Sequence, residues 1–208
     1  MKTADNELQR YDDRTRMNHW AIALLFFLAA LSGLAFFHPS LYFLSALFGG
    51  GSWDRILHPY FGLFMFVSFL GLFLRLKHEN VWTAQDKAWL DQAGEMFKGN
   101  KAAMPPVGKY NAGQKLVFWL MALSLLLLLL TGVLFWHAWF PHFPIWARRI
   151  GVLLHAVSAV VLVLTVIVHV YAAIWVKGTT RAMTRGSVTR GWAKMNHPLW
   201  YEDMTRGK

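Results

Sequence analysis

The chain has 208 residues, of which 56% are hydrophobic, and its mean hydropathy is +0.34, which together indicate one integral-membrane domain over residues 1–208. The formal net charge of +10 does not indicate nucleic-acid binding, because the basic residues flank apolar spans instead of forming a soluble face. The sequence contains no cysteine, which excludes an iron–sulfur cluster, a disulfide or a thiolate metal site within this chain. If this chain transfers electrons, it must therefore receive them from another protein or from a soluble donor.

Four apolar stretches predict membrane-spanning helices at about residues 20–37, 56–76, 116–136 and 150–176. The first resembles a signal peptide, but its length and the mixed charge before it favour a retained helix. The second is expected to carry His58 and Pro59 in its first turn, where proline is tolerated. The polar residues 77–115 predict a short amphipathic helix around 86–97, and residues 177–208 form a basic tail. The predicted fold is an all-α membrane protein, a bundle of four transmembrane helices.

The distribution of lysine and arginine predicts the orientation. Eighteen of the 21 lie in residues 1–17, 75–115 and 177–208, and the two remaining loops hold only Arg55, Arg148 and Arg149. Positively charged loops stay in the cytoplasm, so both termini are expected there.

Two histidines interrupt the apolar fourth span, His155 and His169. An ionisable group inside a membrane span is costly and is a candidate functional residue. Fourteen residues of helix return to within about 40° of the same direction and rise about 21 Å, so these histidines share a face near opposite membrane surfaces. With the predicted orientation, His58 lies at the outer depth of His155, and His19 at the inner depth of His169. The expected pairs are His58 with His155, and His19 with His169.

Each pair is suited to hold one haem iron from both sides. Two imidazoles fill both axial positions, which favours electron transfer over oxygen chemistry. No C-x-x-C-H motif is present, so the prediction is two non-covalent b haems stacked across the membrane. A single membrane histidine could equally have a structural role, but four matched in depth favour ligation. Gly33 and Gly62 would give a macrocycle room, although close helix packing explains them equally well. An interfacial role is expected for the other histidines: His38, His78, His137, His142 and His197.

Several stretches resemble the cytochrome b (gamma) subunit of membrane-bound respiratory formate dehydrogenase. They are RILHP (55–59), VGKYNAGQK (107–115), TGVLFW (131–136), WVKG (175–178) and WAKMNHPLWY (192–201). The resemblance runs from about residue 14 to residue 201. His19, His58, His155 and His169 match the four haem ligands of that family, in the pairs given above.

The resemblance implies partners and a direction of electron flow. The family's partner is a periplasmic iron–sulfur (beta) subunit, joined to a molybdenum- or tungsten-pterin catalytic (alpha) subunit that holds the formate site. Electrons reduce menaquinone or ubiquinone near the cytoplasmic side of the bacterial inner membrane, which contributes to the proton motive force. The quinone pocket would use Asn111, Gly113 and His169. Residues 49–53 and 81–92 depart from the family pattern, so the contacts to the partner stay open.

Asn111 also has a structural interpretation. Asn111 followed by Gln114 is a helix start with a capping box. Both roles can hold together, because a helix N-terminus presents free N–H groups that suit a quinone oxygen. The alternative functions are a cytochrome b anchor of a hydrogenase or another molybdoenzyme, and a haem-free membrane anchor or transporter with histidine proton relays. The lack of internal repeats and of broken mid-membrane helices argues against a transporter.

Overall fold

The computed structural model describes residues 6–100, 103–136 and 138–206, without the side chain of Phe97. The elements in chain order are β1 (Glu7–Gln9), α1 (Asp13–Phe37), a 3-10 helix (Pro39–Phe48), α2 (Gly51–Leu76), a second 3-10 helix (Lys77–Asn80), α3 (Ala84–Asp91), α4 (Ala93–Phe97), α5 (Ala112–Phe135), α6 (Ile145–Trp175), α7 (Thr180–Arg185), β2 (Ser187–Thr189), α8 (Arg190–Asn196) and α9 (Pro198–Thr205).

Four helices are long and apolar enough to cross a membrane: α1, α2 with the 3-10 turn after it, α5 and α6, with mean hydropathies of 1.8 to 2.7. The four predicted spans are therefore confirmed. Each helix begins four to seven residues before its predicted start, at Asp13, Gly51, Ala112 and Ile145. Hydropathy marks only the part of a helix that matches the hydrocarbon, so polar first turns escape it.

Two local predictions differ from the structure. Because α2 begins at Gly51, Pro59 lies inside the helix and not in its first turn. Pro59 has no N–H to donate to the carbonyl of Arg55, a loss that neighbouring elements must accommodate within a membrane span. The amphipathic helix predicted around 86–97 is two helices, α3 and α4, because the backbone leaves helical geometry at Gln92 (φ −103°, ψ 5°).

The described residues form two compact units. The apolar unit comprises Met17–Leu74 and Leu120–Val168. Its core takes side chains from all four long helices, namely Ala29, Met65, Phe69, Leu125 and Leu162. A shared core of this kind is the packing expected of a four-helix bundle. The prediction of one domain over residues 1–208 stays a prediction.

The charged unit draws on Met1–Arg16, Arg75–Trp119 and His169–Lys208. The predicted basic tail is folded here, and its core consists of Leu8, Ala182, Val188, Ala193 and Trp200. Strands β1 and β2 pair antiparallel, with Leu8 opposite Val188. This two-stranded sheet is an exception to the predicted all-α fold, and it ties the N-terminal segment to the tail.

His197 belongs to the interior of the charged unit and not to an interface, since it is only 2% exposed. Its Nδ1–H donates to the carbonyl of Gly108 at 2.8 Å, and its ring lies 5.1 Å from that of Trp192. Burial lowers the pKa of His197 to about 4, and the charge of Arg10 acts in the same direction. His137, also expected at an interface, lies outside the described residues.

Candidate functional site

Two of the four predicted ligands, His58 of α2 and His155 of α6, face each other in the apolar unit. Their ring centroids are 6.3 Å apart, and the ring planes make an angle of 65°. A histidine nitrogen binds a metal at about 2 Å, so two rings on opposite sides of one ion have centroids about 6 Å apart. The spacing therefore fits a metal held between the two imidazoles.

Each of the two rings packs against an aromatic side chain and has a hydroxyl partner at one ring nitrogen. Phe36 packs edge-on to His58 with centroids 6.1 Å apart, and Phe135 packs edge-on to His155 at 5.0 Å. The Nδ1 atoms lie 2.8 Å from the hydroxyl of Ser32 and 2.9 Å from that of Thr131, respectively. A partner on Nδ1 leaves Nε2 as the nitrogen available to a metal, which is the usual arrangement around histidine ligands. These two histidines could therefore hold a haem iron between them.

The inner pair is divided between the two units. His19 lies in α1 within the apolar unit, and its ring packs edge-on to Trp20 at 5.5 Å. His169 lies on α6 within the charged unit, 14 residues after His155, or about 21 Å along the helix. The pairing of His19 with His169 stays a prediction.

The two glycines expected to give a macrocycle room have different surroundings. A Cβ added to Gly33 would lie 3.0 Å from Cε1 of His58, closer than such contacts normally come. Gly33 is therefore needed for the His58 ring itself. A Cβ added to Gly62 would meet no atom of the described residues within 4 Å, so a methyl group there has space.

Asn111 and Gly113 begin α5, as predicted from the capping box. The backbone N–H of Gln114 donates to Oδ1 of Asn111 at 2.9 Å, and the N–H of Asn111 donates to Oε1 of Gln114 at 3.0 Å. A Cβ on Gly113 would lie 3.2 Å from the ring of Trp89 and 3.4 Å from Oδ1 of Asn111. The helix start is confirmed, and the absence of a side chain at Gly113 lets Trp89 of α3 pack against it.

A buried ion pair beside this helix start was not predicted. Nζ of Lys115 lies 2.7 Å from Oδ2 of Asp86, and the two side chains are 8% and 5% exposed. Lys115 also donates to the carbonyl of Val81 at 3.0 Å. Thr83 donates to the same carboxylate oxygen from its N–H at 2.6 Å and from its hydroxyl at 2.9 Å. The Thr83-x-x-Asp86 spacing of a capping box was a sequence signal for this carboxylate, but nothing local indicates Lys115, 29 residues away.

The pKa of Asp86 reflects two opposing effects. Burial raises the pKa of a carboxyl group, but the hydrogen bonds from Lys115 and Thr83 to the ionised form outweigh it, so the pKa of Asp86 is lowered. The carboxylate is therefore ionised at neutral pH and balances the positive charge of Lys115.

Comparison with known proteins extends this geometry. The model of the prokaryotic cytochrome b561 family matches residues 10–186. The cytochrome b556(fdo) subunit of formate dehydrogenase from Escherichia coli K12 is 42% identical over 207 residues, which is 99% of this chain and 97% of the relative. The cytochrome b556(Fdn) subunit of the nitrate-inducible formate dehydrogenase of the same organism is 41% identical over 194 residues, 93% of this chain and 89% of the relative. The formate dehydrogenase cytochrome b556 subunit of Haemophilus influenzae is 38% identical over 205 residues, 98% and 86% of the two chains.

These matches confirm the predicted resemblance to formate dehydrogenase cytochrome b subunits. They also agree with the four apolar helices. The chain is a multi-pass bacterial membrane protein of electron transport, and it belongs to the prokaryotic cytochrome b561 family.

Proposed function

We propose that this chain is the cytochrome b subunit of a bacterial formate dehydrogenase and carries electrons from a periplasmic iron–sulfur subunit, by way of two b haems, to a quinone near the cytoplasmic side. The observation that carries the proposal is the 6.3 Å separation of the His58 and His155 rings. The names of the relatives, at about 40% identity over most of the chain, favour formate dehydrogenase over a hydrogenase. A haem-free anchor or transporter has no need of this spacing.

In this proposal His58 and His155 are the axial ligands of the outer haem, and His19 and His169 are those of the inner haem. A b haem with two imidazole ligands supplies one-electron transfer. With both histidines bound, the iron would have no open position for oxygen. Helix α6 contributes one ligand to each pair, about 21 Å apart along its axis.

The proposed orientation, with both termini in the cytoplasm, has support from the charged unit. Its three segments are the ones that lysine and arginine assign to the cytoplasm, and they contain eighteen of the 21 basic residues. Because these segments meet in one compact unit, their parts outside the membrane must lie on the same side of it. The lysine and arginine residues of the apolar unit are Arg55, Arg148 and Arg149 alone.

The proposed quinone residues are Asn111, Gly113 and His169, and all three belong to the charged unit. The Asn111 side chain accepts the N–H of Gln114. The N–H groups of Ala112 and Gly113 have no partner within the helix, since they belong to its first turn. A quinone oxygen that gains negative charge is stabilised by such N–H groups and by the positive end of the helix dipole. Protons for the reduction would then be taken from the cytoplasm.

The haem assignment is tested by reduced-minus-oxidised spectra and haem analysis of the purified complex. We expect two low-spin b haems per chain. His58→Ala or His155→Ala should remove the outer haem, whereas His19→Ala or His169→Ala should remove the inner one. His142→Ala, a change of an exposed loop histidine, is the matched control and should retain both. A single haem per chain, or loss of the same haem from His58→Ala and His19→Ala, contradicts the pairing.

The partner assignment needs a separate experiment. Cross-linkers placed in residues 37–54 or 137–149, the loops predicted outside, should capture an iron–sulfur protein that co-purifies with formate-oxidising activity. Capture of that protein only from residues 77–115 would contradict the orientation. Co-purification with a hydrogenase subunit would contradict the formate dehydrogenase assignment.

A further inference from the structure

The outer histidine pair is contacted by two short sequence pairs of the same kind. Helix α1 carries Ser32 and Gly33 in the sequence LSGL (31–34), and α5 carries Thr131 and Gly132 in LTGV (130–133). In each pair the hydroxyl lies at hydrogen-bond distance from Nδ1 of one histidine. The adjacent glycine lies against Cε1 of the same ring. Helix α1 thus contacts His58 of α2 in the same way as α5 contacts His155 of α6.

The hydroxyl hydrogens have another acceptor, which favours the histidine as the donor in each of these bonds. Ser32 donates to the carbonyl of Leu28 at 2.7 Å, and Thr131 donates to that of Leu127 at 2.6 Å. A hydroxyl has one hydrogen and two acceptor lone pairs. With the hydrogen on the helix carbonyl, the oxygen can only accept from Nδ1–H of the histidine. Each ring is therefore held as the tautomer with its proton on Nδ1 and its lone pair on Nε2.

The glycines allow the hydroxyl-bearing helices to come this close. A Cβ on Gly33 would lie 3.0 Å from Cε1 of His58, and one on Gly132 would lie 3.5 Å from Cε1 of His155. The first contact is tight enough that the His58 ring would have to move, whereas the second is an ordinary van der Waals contact that an alanine could make. Ser32 and Gly33 in succession thus fix both the hydrogen bond and the position of the His58 ring.

We propose that Ser32 and Thr131 are positioning residues of the outer haem, each holding one histidine with Nε2 available to the iron, and that Gly33 makes room for the His58 ring. The inference rests on the proposed function, since it takes His58 and His155 as ligands. Donation from Nδ1–H increases the electron density of the imidazole and its strength as a ligand. A stronger donor favours ferric over ferrous iron, so the two hydroxyls lower the midpoint potential of the outer haem.

The test compares Ser32→Ala and Thr131→Val with the unchanged chain, in the purified complex. Potentiometric titration of the haem spectra should show the outer midpoint potential raised in each variant, with the inner one unchanged. Loss of an outer-shell partner should also weaken outer-haem retention about 10- to 100-fold, measured as transfer to apomyoglobin. Ser32→Thr and Thr131→Ser keep a hydroxyl and should restore the original potential.

Matched controls remove a buried hydroxyl elsewhere on the same kind of helix. Ser124→Ala acts on α5, at a side chain 3% exposed. Thr165→Val removes a hydroxyl that donates to the carbonyl of Val161 at 2.7 Å, the same helix bond that Thr131 makes. Both should leave the outer potential unchanged. If Ser32→Ala loses the outer haem altogether, retention of that haem by Ser32→Thr and Ser124→Ala still supports the proposal.

Three results would overturn the proposal: no change of outer potential or haem retention in Ser32→Ala and Thr131→Val, equal changes in the control variants, or equal changes in the hydroxyl-retaining variants. These results differ from failure of the proposed function. That failure would appear as two haems retained in His58→Ala or His155→Ala. The two ideas can therefore be rejected independently.

Discussion

The buried ion pair between Lys115 and Asp86 provides a sharp test of how the charged unit is held together. Replacing Lys115 by methionine keeps the length of the side chain and removes its charge. It also removes the donors to Asp86 and to the carbonyl of Val81. The carboxylate of Asp86 then remains buried, with only the two hydrogen bonds from Thr83.

The size of the effect follows from burial. Both side chains are less than a tenth exposed, and removing one partner of a buried pair costs about 3–5 kcal/mol. That cost raises the local opening equilibrium by at least about 100-fold. The double variant Asp86→Leu with Lys115→Met leaves no buried charge and should recover most of the stability. The exposed pair of Lys98 with Glu95 provides the control, since Lys98→Met should have little effect.

Thermolysin cleavage of the complex in detergent measures this opening, because the cleavage rate tracks the open population when reclosing is fast. Cleavage within residues 77–110 should accelerate strongly in Lys115→Met, and hardly in Lys98→Met. Because the pKa of Asp86 is lowered by folding, its stabilising contribution is present above the unfolded pKa of about 3.9 and is lost as the pH falls through the lower folded value. Equal resistance of Lys115→Met and Lys98→Met at pH 7 would refute the reasoning.

Further predictions concern the quinone step, the membrane potential and pH. Gly113→Trp should slow quinone reduction while both haems stay reducible by the donor, because the new side chain would enter the contact between Gly113 and Trp89. Gly94→Trp is the control and should not slow quinone reduction, since a Cβ at Gly94 meets no described atom within 4 Å. Stopped-flow measurement of haem reoxidation compares the two variants. In proteoliposomes, formate oxidation should build a potential that is negative on the side of the termini, storing about 2.3 kcal/mol per charge at 100 mV; a voltage-sensitive dye that reports no potential would place the quinone site near the outer haem. Because folding lowers the pKa of His197 to about 4, stability should fall as the pH drops from about 6.5 to about 4, and His197→Gln should reduce that slope in thermal unfolding.

Hydropathy and helix geometry were sufficient to predict the four spans and the facing of His58 and His155. Both depend on local regularities: an apolar run of sufficient length, and a constant rise per residue that converts sequence position into depth. The capping box of Asn111 and Gln114 was predictable for the same reason, since its partners are three residues apart.

The fold of the charged unit could not be predicted in this way. Its contacts join residues far apart in sequence, such as Leu8 with Val188 across the two strands, Arg181 with Glu7, and Lys115 with Asp86. Taken by itself in the sequence, each of these residues is an ordinary charged or apolar residue of a polar segment, with no sign of its partner. The sequence analysis did not predict a role for LSGL and LTGV, because only the distances to His58 and His155 give these stretches a meaning.

Hydroxyl groups suit His58 and His155 as partners because the two histidines lie within membrane-spanning helices, where the surrounding solvent is lipid hydrocarbon. Histidine ligands in proteins commonly donate to a carboxylate. A carboxylate within a membrane span would add a charge that the hydrocarbon cannot solvate. Ser32 and Thr131 are uncharged, and their own hydrogens are satisfied by carbonyls of the same helices. They therefore bring an acceptor to Nδ1 while leaving no polar hydrogen unpaired, which is the condition that a lipid environment imposes on every buried polar group.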